Sequence, residues 1–504
     1  MATGLKKLAG QTAVYGLSSI VGRFLNYLLT PLYTSKLVFS PEQYGIITEM
    51  YAYVAFLVVI LTYGMETAFF RFYSSAGKEK PVVYSTAITS LLTSSTLFVA
   101  ITSLYAQSIA SFLGYPNHQE FIIWFGIIVA VDALVAIPMA KLRAENKAIR
   151  FAAINLSFVT INIGLNLFFL AYCLPMHKSG VSNWVIDTFY NPEIQVGYVF
   201  IANLVASLGR LLLVSPQIIK ATWRFSGEIW RKMVRYGFPL LIAGLAGIVN
   251  ETLDRALLKW LLWDRLGEVE TMTQLGIYGA CYKLSIIITL CVQAYRYAAE
   301  PFFFDQQRTA GATQTYARMM HVFIGLAMFV FLVVTLFLDI FKYFIPNDAY
   351  WVGLDIVPIL LLANVFLGIY YNLSVWYKLT DKTVFGSYLS IMGAIITVVL
   401  NLWLVPVMGF RGSAWATLCC YGTMAIASAY LGRKHYRVPY RFGRMVLYMA
   451  TGIALYFLNL LLIQLNTAPA LLWVCRMAML AVFALFVVYQ EKLFIYHGSN
   501  TNRQ

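Results

Sequence analysis

The chain alternates between long apolar stretches and short polar segments. An apolar stretch of about 20 residues can cross a bilayer as an α-helix. Fourteen stretches meet this length, at residues 12–34, 45–70, 83–113, 121–140, 151–174, 196–219, 237–258, 275–295, 319–341, 354–377, 385–404, 413–431, 445–463 and 471–490. The longest connections between them have about twenty residues, far fewer than a catalytic domain needs. The pattern therefore predicts an all-α polytopic membrane protein with about 14 transmembrane helices.

The composition agrees with membrane embedding. Of 504 residues, 60% are hydrophobic and 12% are charged, whereas soluble domains carry about 25% charged residues. These values exclude a secreted disulfide scaffold, a disordered chain and a cytosolic enzyme. The six cysteines lie in or beside apolar stretches and show no disulfide framework or metal-ligand spacing.

The positive charges predict the orientation of the spans. The N-terminus, the even-numbered loops and the C-terminal tail carry 26 of the 37 Lys and Arg residues, and the odd-numbered loops carry 6. Cytoplasmic loops are enriched in Lys and Arg. Both termini are therefore expected in the cytoplasm, and the net charge of +15 indicates topology rather than nucleic-acid binding.

The first six spans resemble the next six at an offset of about 220–236 residues. Five matches occur in order: Tyr15-Gly16 with Tyr236-Gly237, Gly45-Ile46 with Gly276-Ile277, the segment at Glu66 with that at Glu300, residues 142–147 with 378–382, and Asn166-Leu167 with Asn401-Leu402. An even number of spans separates the copies, so they form two parallel six-helix repeats. Transporters built in this way place the substrate between the repeats, near the membrane midplane.

This repeat defines the predicted domains. Residues 1–219 form an N-terminal six-helix half, 237–431 form a C-terminal six-helix half, and 432–504 hold spans 13 and 14 with a cytoplasmic tail. Residues 220–236 alternate Trp223, Trp230 and Met233 with Lys and Arg. They predict an amphipathic cytoplasmic linker that either anchors on anionic lipid or moves one half against the other.

Charged groups inside spans are candidates for function, because each costs about 2.5–3.5 kcal/mol at a helix centre. Arg23 in span 1 and Lys283 in span 8 come from different halves and could hold an anion such as a diphosphate in a shared central cavity. Arg255 joins this set as a substrate-binding candidate, although Glu251 at i−4 could neutralise it. Asp132 in span 4 is the candidate for a coupling cation; a plain interhelical hydrogen bond is the alternative.

The remaining intramembrane charges have simpler interpretations. Arg476 is expected to extend to the membrane surface, and Arg210 either does the same or is a functional candidate. Glu66 and Glu300 are expected to pair with Arg71 and Arg296. On span 5, Asn155, Asn162 and Asn166 lie within about 40° of one helix face. Amides suit sugar hydroxyls, so this face could line the transport path; helix packing is the other interpretation.

Several motifs are absent from the sequence. It contains no Walker motif, no G-x-S-x-G elbow and no His, Cys and carboxylate residues at metal-ligand spacing. The first outer loop has Glu42 as its single acid, unlike membrane glycosyltransferases with paired acids. No large outer loop suggests a glycan polymerase or ligase. We therefore expect neither enzymatic activity nor a cofactor.

The residues resemble a known family. The opening A-V-Y-G-L-S-S-I-V-G-R-F-L-N-Y, the segment E-Q-Y-G-I-I-T, Y-G-F-P-L-L-I-A-G-L-A in span 7, Asp254-Arg255 and G-I-Y-G-A-C-Y-K-L-S in span 8 are similar to the Wzx-type polysaccharide-export flippases. These belong to the multidrug/oligosaccharidyl-lipid/polysaccharide (MOP) exporter superfamily, with a MATE-like fold. The resemblance covers nearly the whole chain. Residues 260–274 depart from it and are expected to form an inserted acidic outer loop.

The resemblance implies a flippase that moves an undecaprenyl-diphosphate-linked oligosaccharide across the bacterial inner membrane. Alternating access would draw on a proton or sodium gradient, and spans 13 and 14 would border a groove for the polyprenyl tail. A polysaccharide polymerase and glycosyltransferases are expected as partners. Two alternatives remain open: a lipid II-type flippase and a cation-coupled small-molecule antiporter.

Overall fold

The computed structural model describes Gly16, Ser18 and residues 20–306 and 311–501. Its regular structure is helical throughout these residues, with no strand among them. Helix α1 is described over residues 20–27 and Leu29–Tyr33, so the prediction for 12–34 lies partly outside the described residues. The other thirteen predicted spans are all confirmed as membrane-length helices. The all-α polytopic prediction is therefore confirmed.

The membrane-length helices follow the predicted order. They are α2 (Pro41–Ser75), α3 (Gly77–Leu104), α4 (Gln119–Ala144), α5 (Ala148–Lys178), α6 (Gly197–Ile219), α7 (Gly227–Leu266), α8 (Glu268–Tyr297), α9 (Ala312–Leu336), α10 (Asp348–Leu379), α11 (Val384–Met408), α12 (Phe410–His435), α13 (Phe442–Gln464) and α14 (Pro469–Glu491). Helical structure continues from α8 to Gln306 and from α14 to Thr501.

Three helices contain local irregularities. Helix α2 breaks at Tyr63 and Gly64, which both have positive φ angles. Helix α5 winds as a π-helix over Leu167–Cys173, and α10 is interrupted at Ser374. Such interruptions leave places where a helix can bend.

The chain divides into two compact units, residues 1–279 and 280–504, with the boundary inside α8. The first unit contains α1 to α7 and the first turns of α8. The second contains the rest of α8 and α9 to α14. The predicted domain boundaries at 219, 236 and 431 come from the sequence repeat and remain predictions.

The basic segment before span 7 is not a separate helix. One continuous helix runs from Gly227 to Leu266, and Ser226 caps its N-terminus. Met233 is fully buried among α2, α3 and α4, and the indole of Trp230 donates a hydrogen bond to Ser90 Oγ at 2.7 Å. Trp223 is exposed. The apolar face of this segment therefore packs on protein within the first unit.

Glycines bring helix backbones together within the first unit. A Cβ on Gly45 of α2 would clash with the Met272 carbonyl oxygen of α8, and a Cβ on Gly276 of α8 would clash with the Pro41 carbonyl oxygen of α2. These contacts are reciprocal, because each glycine meets the residue four positions before the other. The two glycines are also a matched pair in the sequence repeat. At this crossing the repeat is thus visible in three dimensions.

Candidate functional site

Asp132, the candidate coupling carboxylate, is bound by a partner on another helix. Arg210 Nη2 of α6 donates to Asp132 Oδ1 of α4 in an ion pair, and Ser207 Oγ lies 3.3 Å from the same oxygen. The Arg210 guanidinium also lies over the ring of Phe158, 4.5 Å from its centroid. Arg210 therefore pairs inside the unit, so of its two interpretations the extension to the membrane surface is not observed. The coupling role of Asp132 remains a prediction.

The ion pair is part of a larger polar network. Ser207 Oγ donates to Asn203 Oδ1 at 3.4 Å, and Asn203 Nδ2 donates to the Tyr51 hydroxyl at 2.7 Å. Tyr51 lies on α2, which connects this helix to α4 and α6. A cation that bound Asp132 would have to compete with Arg210 and would disturb this network.

The predicted asparagine face of α5 contacts α1. Asn166 is fully buried; its Oδ1 accepts from the Tyr33 hydroxyl at 2.8 Å, and its Nδ2 donates to the Asn162 carbonyl at 2.8 Å. Asn162 Nδ2 donates to Asn26 Oδ1 at 3.2 Å, whereas Asn155 is half-buried. Asn162 and Asn166 thus join helices in this conformation. Their role in lining the path remains a prediction.

The matched position in the second unit makes the same local bond. Asn401 Nδ2 donates to the Thr397 carbonyl at 2.8 Å, four residues back as in Asn166. Its Oδ1 accepts from Ser413 Oγ at 2.8 Å. The two asparagines therefore share one structural role, interhelical packing through a buried amide.

The cationic candidates lie in different places. Arg23 is exposed on α1 in the first unit, and Lys283 is half-buried on α8 in the second. Arg255 donates to the Glu251 carbonyl oxygen at 2.6 Å, and its Nη1 lies 3.5 Å from Asp254 Oδ1. Asp254 is buried and accepts a hydrogen bond from the Tyr278 hydroxyl of α8. The joint binding of a diphosphate by Arg23 and Lys283 remains a prediction.

The structure corrects the predicted pairing of Glu66. It pairs with Arg143, at the end of α4, rather than with Arg71, whose guanidinium lies 4.4 Å from the ring centroid of Tyr236. An ion pair between elements 77 residues apart cannot be seen from helical spacing. The predicted Glu300–Arg296 pair lies outside the described side chains.

In the same region, the carboxyl of Glu145 has a lowered pKa. Partial burial disfavours ionisation of Glu145, but hydrogen bonds from Lys147 and Tyr73, together with the charge of Lys141, outweigh it and lower the pKa of this carboxyl. The Lys147 ammonium lies 2.6 Å from Glu145 Oε2. The loop after α4 is thereby held on the end of α2 that is predicted to face the cytoplasm.

Arg476 does not extend to the membrane surface as expected. It is buried, with 3% of its surface exposed. Its Nη1 donates to both oxygens of Asp339 at 3.0 and 2.9 Å, and its Nε donates to Asn459 Oδ1 at 3.0 Å. Charge-assisted hydrogen bonds of this kind are stronger than neutral ones. Arg476 therefore fastens α14 to α13 and to the segment after α9.

An ion pair joins Glu49 of α2 and Lys259 of α7, neither of which the sequence marks as a candidate. The Lys259 ammonium lies 2.9 and 3.0 Å from the two Glu49 carboxylate oxygens, and both residues are almost fully buried. Glu49 lies only five residues inside the predicted span, and Lys259 lies just beyond the predicted end of another. Because both residues lie near the predicted ends of spans, their charges did not stand out as intramembrane groups.

The expected acidic loop at 260–274 is also corrected. Helix α7 continues to Leu266 and α8 begins at Glu268, with Gly267 between them. The inserted residues therefore lengthen two helices, and Trp263 lies in the part that they add to α7. Among the described residues, no three His, Cys, Asp or Glu side chains come together as a metal site.

Comparison with known proteins identifies the family. A polysaccharide biosynthesis protein family model matches residues 38–341, which is more than half of the chain. The chain belongs to this family. No curated protein sequence gives a significant match.

Solved structures show the fold of this family member. The lipid II flippase MurJ, in an inward closed conformation, has a TM-score of 0.67 at 14% identity, covering 95% of this chain and 99% of that one. An inward-facing multidrug resistance MATE family transporter of the MOP superfamily has a TM-score of 0.61 at 15% identity, covering 84% and 94%. A MOP superfamily transporter from Pyrococcus furiosus has 0.54 at 14%, covering 84% and 95%. The family member thus has the MOP transporter fold.

Proposed function

We propose that this protein is a flippase that moves undecaprenyl-diphosphate-linked oligosaccharide from the cytoplasmic to the periplasmic leaflet, for O-antigen, capsule or exopolysaccharide synthesis. The observation that carries the proposal is the family match over 38–341 in a chain of membrane-length helices. The near-complete structural overlap with a lipid II flippase supports it. A transporter in a polysaccharide pathway must carry a glycan through the membrane, and a lipid carrier is the form in which glycans meet the bilayer.

The candidate residues have distinct roles in this proposal. Arg23 and Lys283 bind the diphosphate, Arg as a bidentate donor and Lys as a compact charge. Arg255 adds a third cation, and Asn155, Asn162 and Asn166 offer amides to sugar hydroxyls. Since Asn162 and Asn166 bond to α1 in this conformation, they become available only when α1 moves relative to α5.

Ion coupling follows from competition at Asp132. A proton or a sodium ion that reaches this carboxylate replaces Arg210 as its partner. Released Arg210 then needs another arrangement, and α6 shifts relative to α4. The ion gradient thereby biases one conformation over the other, since a ligand shifts an equilibrium only through its different affinity for the two states.

The proposal places the protein in the bacterial inner membrane. Glycosyltransferases that build the lipid-linked unit on the cytoplasmic side supply the substrate, and a polysaccharide polymerase on the other side consumes the product. Both are proposed functional partners.

A lipid II-type flippase is a second candidate, favoured by the overlap with MurJ over 95% of this chain. A small-molecule antiporter is a third, favoured by the MATE likeness. The three differ in the compound that accumulates when the protein is lost.

Deletion of the gene tests the proposal, with lipid-linked intermediates and surface polysaccharide measured by mass spectrometry. We expect loss of the surface glycan and accumulation of its diphosphate-linked repeat unit. Accumulation of lipid II would favour the second candidate. A normal glycan profile with raised sensitivity to toxic compounds would contradict the proposal and favour the antiporter.

A further inference from the structure

The Glu49–Lys259 pair lies at the centre of a dry cluster. The Tyr115 hydroxyl donates to Glu49 Oε2, and Lys259 Nζ also donates to the Leu113 carbonyl oxygen. The Lys259 ammonium lies 4.4 Å from the ring centroid of Tyr115 and 4.8 Å from that of Trp263. Each charged group thus has several partners, and 0% of Glu49 and 2% of Lys259 is exposed.

The cluster joins three elements that are far apart in the sequence. Glu49 comes from α2, Leu113 and Tyr115 come from the connection between α3 and α4, and Lys259 comes from α7. Gly114, with φ of +85°, brings the connection so close that a Cβ there would lie 2.8 Å from Trp263 Cη2. The connection between α3 and α4 therefore packs closely against the outer end of α7.

By sequence, α7 opens the second repeat, whereas α2 and α3 belong to the first. Both sides of the cluster lie within the first compact unit. The positive-inside pattern predicts that this end of α2 and α7 is the outer end. The cluster thus holds the first helix of the second repeat against the first repeat on the predicted outer side.

The other end of α7 approaches α2 through glycines. A Cβ on Gly64 would clash with the Gly237 carbonyl oxygen, and a Cβ on Gly237 would lie 2.9 Å from the Tyr63 carbonyl oxygen. At Tyr63 and Gly64, α2 is itself interrupted. This contact is made by backbone atoms and lies beside the interruption in α2. It therefore gives α7 a point about which it can rotate. At its outer end, α7 is held to the first repeat by the charged cluster, its aromatic surroundings and the hydrogen bond from Trp260 to Tyr53.

We propose that Glu49 and Lys259 form an outer latch, which holds the outer end of α7 closed and separates when the transported molecule is released outward. The opening of the latch rests on the proposed function, because only a transporter has to open outward. The position of the latch rests on the cluster geometry alone. Residues 260–274, which distinguish this chain from the family pattern, supply Trp263 to the latch.

Ion pairing suits a closure that must open repeatedly. In a dry site the two charges attract strongly, because the effective dielectric is low. Once the outer end parts and water enters, the attraction falls and each ion is hydrated separately. The latch is therefore strong when closed and weak when open, whereas an apolar seal has to expose its whole surface to water to open.

Thiol labelling from the outer side tests the latch directly. Thr48 lies one residue before Glu49 and is half-buried against Gly279. In a background with the six native cysteines replaced, Thr48→Cys should react faster with a membrane-impermeant maleimide when the outer end opens. We expect Glu49→Gln and Lys259→Gln to raise the labelling rate about tenfold.

A matched control is the exposed pair of Arg411 and Asp355, whose side chains are 45% and 50% exposed. Asp355→Asn breaks an ion pair of the same type without opening a dry cluster, and it should leave the labelling of Thr48→Cys unchanged. Equal labelling in E49Q, K259Q and the parent would overturn the latch.

Cross-linking keeps the proposal testable if the single variants fail to fold. The Trp260 indole donates to the Tyr53 hydroxyl at 3.1 Å, one turn from the latch. Cysteines at both positions, joined by a short reducible bifunctional reagent, should hold the outer end closed and stop transport until reductant is added. Undiminished transport by the cross-linked protein would overturn the latch.

Failure of the latch and failure of the proposed function give different results. The labelling experiment needs no substrate, so it reports on the latch whatever is carried. Labelling that responds to E49Q in a protein that exports no glycan would retain the latch and reject the flippase. Glycan export by a protein in which E49Q leaves the labelling of Thr48→Cys unchanged would retain the flippase and reject the latch.

Discussion

Arg210 of α6 pairs with Asp132 of α4, although 78 residues separate them in the sequence. The pair is only partly shielded, since the side chains are 17% and 24% exposed. A carboxylate that exchanges between a fixed guanidinium and a mobile cation has two discrete partners. In the proposed coupling role of Asp132, such exchange would give the polar network of α2, α4 and α6 two arrangements, as coupled transport needs.

A double-mutant cycle on this pair separates stability from coupling. Asp132→Asn and Arg210→Gln should each lower thermal stability, and the double variant should lose less than their sum, with an interaction energy of roughly 1–2 kcal/mol. Unfolding in detergent measures this. Glycan export should lose its dependence on the ion gradient in D132N. If D132N exports in a fully gradient-dependent manner, Asp132 is a structural partner of Arg210 and does not couple transport.

Removal of either proposed diphosphate-binding cation, Arg23 or Lys283, should impair export. In the proposed mode of binding, Arg23→Ala and Lys283→Ala would each delete one charge-assisted contact to the diphosphate, which is worth about 1.5 kcal/mol, or roughly tenfold in export rate. Surface glycan per unit of membrane-inserted protein is the measurement. Arg411→Ala, which removes an exposed cation, is the control and should export normally. Normal export by both R23A and K283A would reject the cationic cavity.

Replacement of Asp339 should destabilise the protein more than replacement of its ion-pair partner, Arg476. Asp339→Asn leaves the guanidinium buried with 4% of its side chain exposed, and should cost about 3 kcal/mol. Arg476→Met leaves Asp339, which is 48% exposed and can be hydrated, but it also removes the donor to the buried Asn459 Oδ1; it should cost about 2 kcal/mol. Thermal unfolding of the purified variants tests the order. Equal losses would show that the burial of Arg476 is not what makes the pair important.

The glycine crossing of α2 and α8 should tolerate no side chain. Gly45→Ala places a methyl group against the Met272 carbonyl oxygen, and such overpacking should cost roughly 2–3 kcal/mol. Gly247→Ala in α7 is the matched control, because a Cβ there meets no atom within 4 Å. It should be neutral or slightly stabilising, since alanine favours a helix. Equal amounts of folded protein from both variants would contradict the close crossing.

The helices were predictable from sequence because membrane insertion depends on apolar length. Each of the thirteen spans that the structure describes in full was placed correctly, and the match between Gly45 and Gly276 was visible as a repeat. Their reciprocal contact was not, because the sequence shows that two glycines correspond but not that they touch.

The ion pairs were not predictable for a related reason. A single sequence indicates only partners that are close along the same helix, as for Glu251 and Arg255. The observed partners, such as Glu49 with Lys259 or Arg476 with Asp339, lie 210 and 137 residues apart. A charge in a membrane helix predicts that a partner exists; the fold decides which residue it is.

Transport of a lipid-linked glycan by the purified protein tests the central claim most directly. The protein is reconstituted into proteoliposomes with its host's undecaprenyl-diphosphate oligosaccharide, and a membrane-impermeant glycosidase reports how much glycan reaches the outer leaflet. We predict that the protein accelerates this movement, that an ion gradient biases its direction, and that R23A and K283A slow it. Movement no faster than in protein-free vesicles, with the protein correctly folded, would contradict the assignment as a flippase for this substrate.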